Sequence, residues 1–205
     1  MLYKNIFFDL DRTLWDFDTN SRETIAELAV KYKIEEKGIN SLEKFITTYE
    51  NINAKMWQDY HLEIIDKQTL RYKRFYDTFL QFQLNDINLS KEFGNDYVNL
   101  SPYKTGLMPN CTTILTYLQK KTYNLHIITN GFEEVQHLKL KNSGIAHFFN
   151  QIITSEKAGY KKPNKNMFEF ALNITSATAA SSIVIGDDLI ADIGGAKNAG
   201  IDQIY

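Results

Sequence analysis

Five short apolar runs rich in β-formers, residues 2–8, 125–129, 151–154, 183–186 and 202–205, alternate with amphipathic segments over much of the chain. This alternation constrains the fold more than any other feature. Parallel strands need long crossover connections, and those connections are usually helices. Helical spacing does lie between the runs, in Cys111, Ile114, Leu115 and Leu118, and again in Met167, Phe170, Ala171 and Ile174. The expected class is therefore α/β, a doubly wound, Rossmann-like parallel sheet covered on both faces.

The alternation breaks after the first run. From residue 20 to about residue 100 every apolar pattern is helical. Asn20-Ser-Arg-Glu23 resembles a capping box, followed by Ile25, Leu28, Ala29 and Tyr32. Three further stretches carry Phe45, Tyr49, Met56, Trp57 and Tyr60, then Leu70, Tyr72, Phe75 and Phe79, then Phe93, Tyr97 and Leu100. The block reads as a helical subdomain, residues 17–104, inserted into a core of residues 1–16 and 105–205. Met56, Trp57, Tyr60, Tyr72 and Phe75 are expected in its interior, and Arg71 and Arg74 on its surface.

Composition narrows the partners. With 23 basic and 25 acidic residues the net charge is −2, which gives no reason to expect polymeric nucleic acid or an anionic membrane. Cys111 is the single cysteine and can form neither an internal disulfide nor a cysteine-based zinc site. His61, His126, His137 and His147 lack metal-ligand spacing and are expected to be structural or exposed. No apolar run reaches the roughly 18 residues of a membrane span, and the N-terminus reads as a strand rather than a leader. A cytoplasmic protein, monomer or homodimer, is the expectation.

Ligands of open parallel sheets bind beyond the carboxyl ends of the strands. At those ends stand Asp9, Asp11 and Thr13; Thr129, Asn130 and Gly131; Lys161, Lys162 and Pro163; and Gly186, Asp187, Asp188 and Asp192. Asp9 and Asp11 are two apart and point to one side of an extended backbone. Two carboxylates so close repel, and a divalent cation with oxygen ligands, Mg²⁺, relieves the repulsion, with Asp187 as a third carboxylate. One carboxylate can then attack phosphorus while the other handles the leaving-group proton. Thr129, the Asn130–Gly131 backbone and Lys162 supply the hydroxyl, N–H groups and ammonium that would hold the transferred phosphoryl group.

DLDRT, IITNG, Lys162-Pro163 and GDDLIAD, in this order, resemble the four motifs of the haloacid dehalogenase-like phosphohydrolases. The resemblance spans the chain and puts the helical block where that superfamily carries a helical cap. It implies Asp9 as nucleophile and Asp11 as general acid/base, with Asp11 lending its backbone carbonyl to the metal. Thr129 and Lys162 would bind the phosphoryl group and Asp187 the metal. Asp192 sits at a second acidic position of the last motif, and Asp188 replaces a more usual serine. ITNGFEEVQHLKLKNSGI, INAKMWQDY and RYKRF look like the bacterial pyrimidine 5′-nucleotidase branch, which implies nucleoside monophosphates as substrates. A sugar-phosphate phosphatase or phosphomutase keeps the same chemistry. A phospho-accepting receiver-like domain fits less well, because it lacks a second carboxylate two residues from the first and a large helical insertion.

Overall fold

In the computed structural model, which describes residues 3–205, the five runs form one all-parallel sheet. The strands are β1 (Asn5–Phe8), β2 (Asn124–Thr129), β3 (Gln151–Thr154), β4 (Ser182–Ile185) and β5 (Asp202–Ile204), in the order β3-β2-β1-β4-β5. Central β1 pairs β2 on one side and β4 on the other, with Phe8 opposite Ile127 and Ile185. The first run was expected over residues 2–8. Leu2 lies outside the described residues, and the strand proper begins at Asn5, where the ladder to Asn124 and Ser182 starts.

Both faces of the sheet are covered. Ile6, Phe8, Leu125 and Ile127 share one core cluster with Cys111 and Leu115 of α5 (Cys111–Lys120) and Leu140 of α6 (Glu133–Asn142). Phe7, Ile128 and Val184 face the other way, against Met167, Phe168 and Ala171 of α8 (Lys165–Ile174) and Ala196 of α9 (Gly195–Asn198). Short α7 (Ser155–Ala158) follows β3 directly. Strand side chains alternate in direction, so a run that is apolar throughout serves both layers. Each large side chain buried this way contributes roughly 1.5–3 kcal/mol.

His126 is the exception in that layer. It is 3% exposed and stacks on Phe7 at 4.9 Å, and neither ring nitrogen has a partner among the described residues. Burial pushes its pKa down to about 4. The folded state thus resists a proton that the unfolded chain accepts near pH 6.5, so stability is lost as pH falls from about 6.5 towards 4. The difference is at most roughly 3 kcal/mol. His126→Phe, which keeps the stack, is expected to flatten the pH dependence of stability in that window. Denaturant titrations at pH 7 and pH 4.5 test this; equal pH slopes for the two proteins would sink the assignment.

The chain divides into two compact units: one runs up to Asp18 and again from Pro102 to Tyr205, the other is Thr19–Ser101. The second unit contains most of α1 (Phe17–Lys31), with α2 (Leu42–His61), α3 (Lys67–Gln81) and α4 (Ile87–Leu100). Its interior is aromatic, with Phe45, Tyr49, Phe75, Phe79, Phe93 and Tyr97 in mutual ring contact. Met56, Tyr60 and Phe75 are buried as expected, whereas Trp57 and Tyr72 are half-buried.

Two expectations are corrected in this unit. Asn20 does not cap α1, because the helix starts at Phe17 and Asp18 occupies its first turn. Asn20, Ser21 and Thr24 instead lie on the buried face, where Thr24 donates to the Asn20 carbonyl and Ser21 bonds Tyr97. Arg74 is not a surface residue: it is 2% exposed, donates to Asn53 Oδ1 at 2.9 Å, and lies 4.8 Å from the Tyr97 ring and 5.2 Å from that of Phe75. It stands one helical turn from Leu70 and Thr78 on the inward stripe of α3, and cation–π contact offsets the loss of water there. Arg71 is half-buried. Among the described residues no helix is long and apolar enough to cross a membrane.

Candidate active site

Polar side chains gather at the carboxyl end of the sheet, beyond β1, β2 and β4. The Asp9 N–H donates to the Ile185 carbonyl, which continues the β1–β4 ladder by one bond. Leu10 is fully buried in the core between Asp9 and Asp11, as alternation requires. The chain then turns, with the Leu10 carbonyl accepting from both Leu14 and Trp15, and Arg12 in the left-handed region at φ 64°.

Asp9 and Asp11, expected as one repelling pair, have separate partners. The Asp9 Oδ1 accepts from Lys162 Nζ at 2.7 Å. The Asp11 carboxylate accepts from Lys139 Nζ at 2.5 Å and from Gln136 Nε2 at 2.9 Å. Each acid therefore has its own buried ammonium. Lys162 also donates to Asp192 Oδ1 at 2.6 Å and to the Ile128 carbonyl at 2.9 Å, so all three of its hydrogens are used. Burial alone would discharge this lysine, but Asp192 and Asp9 raise its pKa above the ordinary value.

Lys162 is placed by Asn130. The Asn130 amide donates to the Lys162 carbonyl at 2.9 Å and accepts from its N–H at 2.8 Å, a reciprocal pair that sets the backbone at residue 162. The Lys162–Pro163 peptide is cis. Asn130, expected to offer its backbone to a ligand, thus uses its side chain to hold the lysine. Thr129 lies at the end of β2 and is 2% exposed. Its Oγ1 accepts from the Gly131 N–H at 3.1 Å and from Gln136 Nε2 at 2.8 Å.

After β4 the backbone enters a π-helical turn, Leu189–Gly194, a rare form often found at functional sites. Asp188 caps it, its Oδ1 accepting from both the Ile190 and the Ala191 N–H. Asp192 projects back beneath Gly186, where any Cβ would lie 2.4 Å from its carboxylate. Only glycine permits that approach.

Asp9, Asp187 and Asp192 each offer an oxygen within 4.8 Å of the others. Lys162 is bonded to two of the three carboxylates, Asp9 and Asp192, while the Arg12 charge acts on Asp187. Burial, then the charge of Asp192, pushes Asp187 up to about 6, and burial also raises Asp9 against the pull of Lys162. This oxygen-only, under-neutralised donor set fits a hard divalent cation such as Mg²⁺. The Asp11 carboxylate, expected beside that of Asp9 at the cation, is outside the cluster because Lys139 and Gln136 hold it; what is left to it is the backbone carbonyl that the family resemblance implies. Asp192 joins the cluster instead. Gln136 and Lys139 also enter the site; no strand-end motif contains them, but both lie in the ITNGFEEVQHLKLKNSGI segment, three residues apart on α6.

The family model "Haloacid dehalogenase-like hydrolase" matches residues 6–205. The pyrimidine 5′-nucleotidase PynA of Streptococcus pneumoniae is 31% identical over 207 residues, covering 100% of this chain and 84% of the relative. The glyceraldehyde 3-phosphate phosphatase of Methanothermobacter thermautotrophicus is 28% identical, covering 99% of this chain and 85% of the relative. A crystal structure of the putative HAD-hydrolase YfnB from Bacillus subtilis, bound to magnesium, superposes with a TM-score of 0.86 at 26% identity, covering 99% of this chain and 88% of that one.

Proposed function

Because the chain belongs to the haloacid dehalogenase-like hydrolases, we propose that it is a Mg²⁺-dependent phosphomonoesterase that works through an aspartyl-phosphate on Asp9, with pyrimidine nucleoside monophosphates as its substrates. The observation that carries the chemistry is the division of labour between the two motif acids. Asp9 belongs to the buried carboxylate cluster with Lys162, while Asp11 has a separate pair of donors.

In this reading an Asp9 oxygen bonds to phosphorus as the ester P–O bond breaks, and Asp11 gives a proton to the departing oxygen. Asp11 then takes a proton from the water that attacks phosphorus, which releases phosphate and restores Asp9. Lys162 pins one Asp9 oxygen and contributes positive charge beside the transferred group. Thr129 holds a peripheral oxygen through its hydroxyl, and the Gly131 N–H orients that hydroxyl by donating to Thr129 Oγ1. Asp9, Asp187 and the Asp11 carbonyl would hold the Mg²⁺, with Asp192 beside them, and the ion, when bound, neutralises phosphoryl charge. The magnesium-bound YfnB structure supports that choice of ion.

The nucleotidase relatives from S. pneumoniae and Escherichia coli, 31% and 28% identical, favour nucleoside monophosphates. The archaeal glyceraldehyde 3-phosphate phosphatases, at 28–29%, support a second reading with a small sugar phosphate as substrate. Phosphate release from both panels, with Mg²⁺ and with chelator, separates the two. The expected outcome is metal-dependent turnover of UMP and dTMP at least about tenfold above glyceraldehyde 3-phosphate. Turnover confined to sugar phosphates would move the substrate and keep the chemistry; chelator-insensitive turnover would overturn the metal assignment.

A further inference from the structure

Gln136 and Lys139 stand on one face of α6, three residues apart, and both are buried, at 0% and 5% exposure. Gln136 spends both hydrogens of one nitrogen on groups of the site: Asp11 Oδ2 at 2.9 Å and Thr129 Oγ1 at 2.8 Å. Its Oε1 is buried with no partner among the described residues. Turning the amide over would set that oxygen against the Asp11 carboxylate, so the orientation with both N–H groups towards the site is the one the charges allow. An unsatisfied buried acceptor costs stability. Keeping it while both donors point at Asp11 and Thr129 is the pattern of a functional constraint.

The consequence falls on Thr129. A hydroxyl has two acceptor lone pairs and one hydrogen. Gly131 N–H and Gln136 Nε2 occupy the acceptor positions, and the hydrogen has no acceptor among the described residues. What remains for Thr129 is to donate, which suits an anionic oxygen. Gly131 is part of the same arrangement, since a Cβ there would lie 2.0 Å from Gln136 Nε2. Lys139 completes it, holding Asp11 Oδ1 at 2.5 Å while its ammonium lies 4.1 Å from the centre of the Trp15 ring.

We infer that Gln136 and Lys139 are positioning residues for phosphoryl transfer, with different duties. Lys139 aims the Asp11 carboxyl at the leaving oxygen, and Gln136 ties Asp11 to Thr129 and turns the threonine hydroxyl towards the phosphoryl group. The inference rests on the reading of Asp9 as nucleophile and Asp11 as acid. In that step the Asp9–phosphorus bond forms, the P–O ester bond breaks, and the leaving oxygen takes a proton from Asp11. A p-nitrophenolate leaves as a stable anion without that proton, whereas an alkoxide does not. The two duties are therefore separable by choice of ester.

The test is kcat/KM for p-nitrophenyl phosphate and for a nucleoside monophosphate, since this ratio covers the steps up to leaving-group departure. Lys139→Met is expected to lower the value for the nucleotide about thirtyfold and for the aryl ester less than about threefold, with Lys139→Arg recovering most of the loss. Gln136→Leu is expected to lower both esters together by about tenfold and to weaken inhibition by inorganic phosphate by a similar factor. Should Lys139→Met fail to fold, Lys139→Gln, which keeps a donor and drops the charge, carries the same contrast between esters. Equal losses on both esters in the Lys139 variants, or unchanged phosphate inhibition in Gln136→Leu, would overturn the inference. Asp9→Asn distinguishes the deeper failure: if that variant still hydrolyses p-nitrophenyl phosphate, the nucleophile assignment itself falls, and this inference with it.

Discussion

Asp9→Asn is expected to lower turnover of every phosphomonoester by at least about 10⁴-fold while raising the melting temperature of the metal-free protein. The amide retains an oxygen for Lys162 but is too weak a nucleophile to form the acyl phosphate, and loss of a group that acts only in the transition state appears in kcat. Stability moves the other way. Asp9, Asp187 and Asp192 crowd three carboxylates together, with the Lys162 ammonium bonded to Asp9 and Asp192, and burial already raises the Asp9 pKa. Removing one of the three relieves repulsion and desolvation worth about 1–2 kcal/mol, or roughly 2–8 °C for a chain of this size. Thermal unfolding with chelator present, beside single-turnover assays, measures both. A variant that is inactive but less stable would mean that Lys162 depends on the Asp9 charge more than the crowding costs.

Lys162→Met is expected to lose on both counts. Its ammonium is 3% exposed and satisfies Asp9, Asp192 and the Ile128 carbonyl. The thioether fills the space but leaves Asp9 and Asp192 without the cation bonded to them, an uncompensated burial that costs about 3–5 kcal/mol. That corresponds to a melting temperature lower by on the order of 10 °C. Turnover is expected to fall about 10²–10³-fold through loss of the charge beside the phosphoryl group. An unchanged melting temperature would sink the stability argument, and retained turnover with a lowered melting temperature would reduce Lys162 to a structural ion pair. The two substitutions touch the two ends of one 2.7 Å contact and are expected to shift stability in opposite directions. The sign depends on whether a surplus carboxylate or the cation bonded to Asp9 and Asp192 is removed.

Much of this was legible in the residues. Strand runs at 125–129 and 151–154 match β2 and β3 to within a residue, because a buried parallel strand shows as an apolar run bounded by polar turns. The helical block matched α2 to α4 because amphipathic spacing survives any mode of packing. Less was legible wherever a polar residue lies inside. Arg74 reads as surface from its type, although Leu70 and Thr78, one turn either side, put it on the inward stripe. Asn20 reads as a cap because Asn-x-x-Glu is a strong local signal, but the helix had already begun at Phe17. Local preferences of a few tenths of a kcal/mol to about 1 kcal/mol yield to the packing of a whole face.

By itself the sequence determined the order of the elements, the α/β class and the polar residues delivered to one end of the sheet, since these follow from periodicity and from where strands stop. Tertiary structure alone decided which charges meet. The pairing of Asp9 with Lys162, of Asp11 with Lys139, and the entry of Asp192 in place of the Asp11 carboxylate join residues 153, 128 and 30 positions apart, or split a pair only two apart. No local pattern encodes such pairs, because each depends on β1 lying between β2 and β4 and on helices returning over the strand ends. Buried charges settle where desolvation and Coulomb attraction balance, and that balance is a property of the assembled interior rather than of any segment.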